Sequence, residues 1–380
     1  MIQKSFEIDG IKLDPTNKEF FEYAQLVLKD TQRRVVYLTG KAGTGKTTFL
    51  KYVVSEFERQ NQGSETPRSY VILAPTGVAA VNAHGQTIHS FFKLPSTAFL
   101  PEDEQYEISN IKKCFSYNNE KVELIKHLSL LIIDEISMVR CDILDIIDKI
   151  LKAYRKDNRP FGGVKVLLVG DAFQLSPIAS GQVIDKKTNT LVSIKYLLQQ
   201  QGYKSIYFFD SKAYIESEPF QLELTKPYRQ QEFEFIDLLN KVRINELKPE
   251  DIISLNKRCC EPTELAREDI IHLAPLNRIV DAYNQQQYDA LEGDEKEYQA
   301  SIQGDFPEKI MPVESFIKLK IGAQVMIRRN HFDNDGLPQK TYYNGTIGKI
   351  EHFDDDYISI KSKNPLTNED VRYVIEKCTW

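Results

Sequence analysis

Short apolar runs punctuate the first half of the chain: Val35 to Thr39, Tyr70 to Ala74, Leu130 to Ile133 and Val164 to Val169. Each is four to six residues long and closes on glycine, proline or a carboxylate. Runs of this length and composition predict strands buried on both faces, as in a parallel sheet covered by helices. Phe220 to Leu224 predicts a further strand. Between the runs the spacing changes. Phe49, Leu50, Val53, Val54 and Phe57 recur with helical period, and so do Ile143, Leu144, Ile146, Ile147, Ile150 and Leu151. Later, "DIIHLAPLNRIVDAYNQQQY" predicts strand, turn and helix, and "FIKLKIGAQVMIRRN" predicts a strand. Asn344-Gly345 predicts a hairpin, with alternating residues after it. The chain is of the α/β class.

The first strand runs into Gly40-Lys41-Ala42-Gly43-Thr44-Gly45-Lys46-Thr47, which fits G-x-x-x-x-G-K-[ST] in full. Strand, glycine loop and helix are the context that this phosphate-binding motif requires. The glycines let backbone N–H groups converge on phosphate oxygens, and the helix N-terminus adds positive potential. The expected nucleotide contacts are Gly40, Ala42, Gly43, Thr44, Gly45, Lys46, Thr47 and Thr48. Lys46 is expected to reach the β- and γ-phosphates, and Thr47 to coordinate Mg²⁺.

The third strand ends in Asp134-Glu135. Two carboxylates downstream of a complete phosphate loop fit a division of labour, with Asp134 holding Mg²⁺ and Glu135 activating the attacking water. The fourth strand delivers "GDAFQLSPI". An uncharged amide, Gln174, therefore stands at the carboxyl edge of the sheet, where ligands of open α/β folds sit. It can donate to a phosphate oxygen and accept from water, or simply cap a turn.

Taken with "YVILAPTGVAAVNAHGQTIHSFF", "LTKPYRQ" and the stretch Arg140 to Gly163, this series of motifs resembles the superfamily-one DNA helicases, and among them the PIF (petite integration frequency) helicases. The resemblance covers Asp14 to Gly348. It implies a P-loop NTPase with RecA-like parallel-sheet domains that uses ATP and Mg²⁺ to move 5′ to 3′ on single-stranded DNA. It also implies unwinding of forked or structured duplexes, and work in DNA repair, recombination and telomere maintenance. Gln174 then lies beside the γ-phosphate, and Arg229 reaches the nucleotide from the second domain unless it serves a surface salt bridge. Relatives often carry a glutamine on the adenine side; Asn17 holds that register here, with Gln25 as the other candidate. Thr76, Gly77, Thr87 and His89 match DNA motifs of the first domain, and Asn277 matches one of the second. His89, Phe91 and Phe92 offer stacking surfaces, although at least one phenylalanine belongs to the core. Arg155, Lys156 and Arg159 fit a functional basic group or a solvated face equally well.

The implied organisation is a first RecA-like domain over 1–225, with a polar wedge-like insertion at about 93–122. A partial second RecA-like domain covers 226–330, and an SH3-like β insertion begins at 331–380. Two later helicase motifs are not found before Trp380, so the expectation is a truncated chain in which coupled unwinding is doubtful. The first alternative is thus a nucleotide- and DNA-binding fragment; the second is a metabolic P-loop kinase, for which the Ala74 to Phe92 segment has no purpose. Bulk numbers change this picture little. The 380 residues are 41% hydrophobic and 27% charged with net charge −6, so any nucleic-acid track is a local basic groove. The odd count of five cysteines and the absence of a basic-then-apolar start predict a cytoplasmic protein, nucleoid-associated if bacterial. A monomer without membrane contact is expected.

Overall fold

The structure is a computed structural model. It describes residues 7–8, 11–14, 16–65, 68–95, 97–179, 182–185, 188, 190–228, 232–259, 271–302, 313–329, 331, 342, 345–363 and 369–378. The chain divides into two compact units, Met1–Arg258 and Cys259–Trp380. The expected boundaries lay after 225 and after 330. No helix among the described residues is long and apolar enough to cross a membrane.

The first unit is built on β1 (Val35–Gly40), β2 (Ser69–Ala74), β3 (Gln86–Thr87), β4 (Leu128–Ile133), β5 (Lys165–Val169) and β6 (Phe220–Leu224). These form one parallel sheet in the spatial order β6-β1-β5-β4-β2-β3. Alternate residues feed two cores. Val36, Leu38, Ile132 and Leu167 pack on one face with Phe20, Phe49 and Val53, from α1 (Lys18–Lys29) and α2 (Lys46–Asn61). Val35, Tyr37, Ile133 and Leu168 pack on the other with Leu144, Ile147 and Leu151, from α3 (Cys141–Arg155). The apolar runs read as strands because both faces are covered in this way.

Helix α3 packs its apolar stripe over the sheet as expected, and much of its charged face is buried as well. Asp142, Asp145, Asp148 and Lys152 are all buried. Asp142 accepts from Arg140 Nε (2.9 Å) and from the backbone N–H of Phe99 (2.9 Å). Asp145 accepts from the Ser211 hydroxyl (2.6 Å) and the Ala213 N–H (2.9 Å). Asp148 accepts from the Phe161 N–H (2.6 Å) and pairs with Lys152 (2.9 Å). Burial of these charges is tolerable because each is bonded to a fixed donor. Arg155, expected on a basic functional or solvated face, is neither. Its Nη1 donates to the carbonyls of Ile125 (2.9 Å), Lys126 (2.6 Å) and Leu128 (2.9 Å), and its Nε donates to Gly162 (2.7 Å). Lys156 is exposed as the left-handed C-cap, and Arg159 pairs with Asp157 on the surface.

The segment from Lys93 to Val122 is less polar in the fold than in the sequence. Phe99, Tyr106, Ile111 and Phe115 are buried in the same core as α3, and Tyr154 donates its hydroxyl to the Phe115 carbonyl. Phe91 and Phe92 are both core residues, edge to face at 4.8 Å, so neither is a free stacking platform.

The second unit contains the helix Asn277–Asp289, an antiparallel pair Glu295–Gln299 with Phe316–Lys320, and a four-stranded antiparallel sheet. That sheet runs Gln324–Met326, Ile347–Phe353, Tyr357–Lys363 and Asp370–Glu376, around Ile327, Tyr342, Ile350 and Ile360. "FIKLKIGAQVM" is thus two strands, broken at Gly322, whose φ of 86° is left-handed. Residues 271–274, the described part of an expected strand, form no regular element, and Leu273 is exposed, because no described strand lies beside them to complete a ladder. Gly345 does not turn a hairpin: its N–H donates to the Ile327 carbonyl (2.8 Å) and the next residue accepts from the Ile327 N–H (2.8 Å), so it is paired beside the strand Gln324–Met326, while Asn344 lies outside the described residues. The Asp354–Asp356 turn is solvated, with Asp355 paired to Lys296.

Arg155→Leu leaves four carbonyls without their donor and is expected to lower unfolding free energy by about 2 kcal/mol, read by urea denaturation. A loss below about 0.5 kcal/mol, the level of an ordinary surface substitution, contradicts this role.

Candidate nucleotide and nucleic-acid site

Parallel register brings several strand ends to one level. Leu38 of β1 pairs Val169 of β5, Leu168 pairs Ile133 of β4, and Ile133 pairs Leu73 of β2. The loops that follow therefore share one edge of the sheet. β1 ends at Gly40, where a Cβ would lie 2.6 Å from Thr44 Oγ1 and 2.8 Å from the Leu224 carbonyl oxygen. Only glycine fits. Gly45 has φ of 89° and caps α2, a left-handed conformation that strains any L side chain. Buried Thr44 donates its hydroxyl to the Lys41 carbonyl (2.9 Å), which closes the loop on itself.

Lys46 Nζ donates to the loop's own carbonyls, Gly40 at 2.7 Å and Lys41 at 3.2 Å. Burial pulls its pKa below the usual lysine range, against the opposing charges of Asp171, Glu135 and Asp134. Thr47 is exposed on the first turn of α2. Ala42 is exposed, and Thr48 and Gly43 are half-buried.

Asp134 is held by its backbone, whose N–H donates to the Leu73 carbonyl (2.8 Å). Its carboxyl is buried and accepts from the Glu135 N–H (2.9 Å). Burial pushes its pKa up to about 6; the Glu135 N–H opposes the rise, the Glu135 charge adds to it, and Lys46 opposes it. Glu135 has φ of 50° and ψ of 43°, a left-handed conformation that is uncommon for a non-glycine residue and stores strain of about 1 kcal/mol.

A cavity of about 270 Å³ is lined by Thr47, Thr76, Asp134, Glu135, Met138 and Gln174, with Ala79, Asn82 and Leu175. Four separate motifs thus meet in one hollow. Gln174 is exposed to it; its backbone N–H closes a turn on Asp171, and its amide makes a long 3.4 Å contact with the Asp171 carboxylate. Turn and ligand-facing amide are both present in one residue.

Thr76 Oγ1 accepts from the Ala79 N–H (3.2 Å), and Thr87 Oγ1 accepts from the Ser90 N–H (3.2 Å), so both hydroxyls cap short helices at the same edge. Gly77 is exposed between them. His89 is half-buried, and burial, then the nearby Arg140, lowers its pKa. Asn17 caps α1 through the Phe20 N–H (3.1 Å) and donates to the Tyr228 hydroxyl (2.7 Å). It meets the phosphate loop only through Tyr228, whose N–H donates to the Gly43 carbonyl (2.8 Å). Gln25 lies within α1 with its side-chain oxygen buried and unpaired. Arg229 lies outside the described residues. Asn277 is exposed at the start of its helix in the second unit.

Sequence reading misses Tyr228, Asp171 and Arg243. Asp171 is buried and forms a two-pronged ion pair with Arg243, with Nε and Nη2 each at 2.8 Å. The partners are 72 positions apart, a spacing with no short-range signal.

A family model described as PIF1-like helicase matches residues 12–251. The chain is 30% identical over 359 residues to the ATP-dependent DNA helicase PIF1 of Candida albicans, covering 90% of this chain and 36% of that protein. It is 29% identical over 342 residues to the ATP-dependent DNA helicase RRM3 of Saccharomyces cerevisiae, covering 87% of this chain and 42% of that protein. The chain therefore spans about two fifths of the length of the curated relatives it matches. Among solved structures it is similar to the Bacteroides Pif1 helicase in complex with ADP-AlF3 and ssDNA, at TM-score 0.68 and 32% identity, covering 96% of this chain and 75% of that one.

The raised Asp134 pKa carries a stability consequence. The folded state binds this proton more tightly than the unfolded chain, so the penalty is absent below about pH 4, grows as pH rises and is complete above about pH 6. Asp134→Asn is expected to stabilise the ligand-free protein by about 2 kcal/mol at pH 7 and to leave stability nearly unchanged at pH 4. Urea denaturation at both pH values checks this; equal effects at both would contradict it.

Proposed function

The chain belongs to the PIF1-like helicase family, and from this we propose that it is an ATP-dependent motor that moves 5′ to 3′ along single-stranded DNA and separates duplex strands. The observation that carries the reading is the shared cavity. Thr47 of the phosphate loop, Asp134 and Glu135, Gln174, and Thr76 of the DNA-side motif line one hollow. A device that couples nucleotide to DNA needs this adjacency, and a metabolic kinase has no use for Thr76 there.

In this reading Lys46 exchanges the carbonyls of Gly40 and Lys41 for the β- and γ-phosphates, while the loop N–H groups cradle the rest. Glu135 takes the proton of the attacking water. Gln174 accepts from that water and donates to the γ-phosphate, so it registers whether the phosphate is present. Arg229 neutralises charge on the transferring phosphoryl group. Asn17 supports the adenine side through Tyr228.

The residues present fit Mg²⁺. Asp134 and Thr47 offer one carboxylate and one hydroxyl to the cavity, and no cluster of three or more His, Cys, Asp or Glu is found among the described residues. Mg²⁺ uses such sparse sites, because waters and substrate phosphates complete its shell. When bound, the ion neutralises charge on the phosphate oxygens.

Single-stranded DNA passes over the carboxyl edge of the sheet near Thr76, Gly77, Thr87 and His89; Asn277 is a separate proposed DNA contact of the second unit. Small residues and hydroxyls there suit the sugar–phosphate chain. Forked duplex DNA is the second partner. A similar structure, of two coordinating Pif1 helicases at forked dsDNA (TM-score 0.71, 32% identity, covering 97% of this chain and 77% of that one), removes support for the expected monomer. The cytoplasm is the proposed location.

Oligo-dT is expected to stimulate ATP hydrolysis, and Glu135→Gln to lower kcat by about 10²-fold or more while ATP is still bound. Single-stranded DNA affinity should fall steeply as salt rises. Hydrolysis indifferent to DNA, or binding indifferent to salt, would sink the motor reading.

A further inference from the structure

Asp171 is a buried carboxylate next to the phosphate loop that no role above uses. It follows Gly170, whose N–H donates to the Leu38 carbonyl of β1 (3.1 Å), two residues before the loop begins. Its oxygens accept from Arg243 Nε (2.8 Å) and Nη2 (2.8 Å), from the Phe173 N–H (3.1 Å) and from the Gln174 amide (3.4 Å). The Arg243 side chain is 17% exposed and the Asp171 side chain 0%. Arg243 also lies over the Phe173 ring, 4.3 Å from its centroid. It comes from the last turn of the helix Phe233–Ile244. Lys46 Nζ sits on the Gly40 carbonyl (2.7 Å), at the end of the strand whose Leu38 carbonyl takes the Gly170 N–H, so its charge also acts on Asp171.

One carboxylate therefore has two cationic suitors. An unpaired buried carboxylate is costly, so without its arginine it would take the nearest available cation. Among the described residues the hydrogen bonds of Lys46 Nζ run to the loop carbonyls of Gly40 and Lys41, contacts that are easily exchanged. We propose that Arg243 is a positioning residue: by pairing with Asp171 it keeps that carboxylate from capturing Lys46, leaves the lysine free for phosphate, and fixes the turn that carries Gln174. This rests on the nucleotide-binding part of the function given above.

The test is fluorescence titration of a mant-ATP probe with Mg²⁺ into wild type, R243Q, R243K, D171N and the double variant R243Q/D171N, with melting curves for each. R243Q is expected to weaken binding about tenfold, equivalent to about 1.4 kcal/mol. R243K retains the charge, and the double variant removes the competitor, so both should bind within about threefold of wild type. D171N alone should bind at least as tightly as wild type. A merely structural pair would give the opposite pattern, with the double variant no better than R243Q. That result, or R243Q binding like wild type, or D171N weakening binding tenfold, overturns the proposal. If R243Q does not fold, R243K, D171N and the double variant still decide it. Wild type that binds no ATP overturns the functional reading itself, and this inference with it.

Discussion

The site depends on the register of parallel strands. Parallel pairing of β1, β5, β4 and β2 places their carboxyl ends side by side, and crossover helices on both faces hold them there. A slip of one residue would turn Val36 and Leu38 toward the α3 core and Val35 and Tyr37 toward the α2 core, exchanging the two buried faces. Because neither core can accept that exchange, Lys46, Asp134, Asp171 and Thr76 are brought together by packing far from the chemistry. The glycines complete the arrangement locally, since Gly40 lies too close to Thr44 and Leu224 for any side chain.

Helix α3 extends the same logic below the sheet. Its carboxylates at 142, 145 and 148 each receive backbone N–H groups from a different segment: Phe99, Lys212 and Ala213, and Phe161. A single helix thus terminates three loops whose donors would otherwise be buried without partners. Arg155 does the converse for carbonyls around the end of the helix Asn119–His127. These polar contacts fix the loops in place relative to the apolar stripe, which by itself would allow the helix to slide.

What the sequence disclosed follows the range of each interaction. The phosphate loop, the Asp134-Glu135 pair and the buried strands are local patterns, and they fold as read. The polar face of α3 was not legible, because charges spaced by three look the same whether water or a loop amide satisfies them. Phe91 and Phe92 read ambiguously for a similar reason: a paired aromatic can stack on a base or fill a core, and only the packed neighbours decide. Residues 271–274 have strand composition but no neighbouring strand, and a strand is a property of the pair. Arg243 and Asp171 could not be matched by pattern at all, since nothing local to either residue names the other.

The site gathers features that are electrostatically and conformationally unfavourable. Asp134 is a buried carboxyl beside a second carboxylate, Glu135 holds a left-handed backbone, and Lys46 is a half-buried ammonium bonded to neutral carbonyls. Each defect has the sign that a polyphosphate and a divalent cation correct. An anion beside Lys46 raises its pKa, and a cation beside Asp134 lowers the pKa of that carboxyl. The strain at Glu135 persists because the strand before it and the short helix after it are both packed in the core. In the proposed motor, the charges that nucleotide and cation bring would relieve these unfavourable features and so favour the bound arrangement of this edge. The sensing role proposed for Gln174 suits a neutral amide, because its own charge does not change with the state of the site.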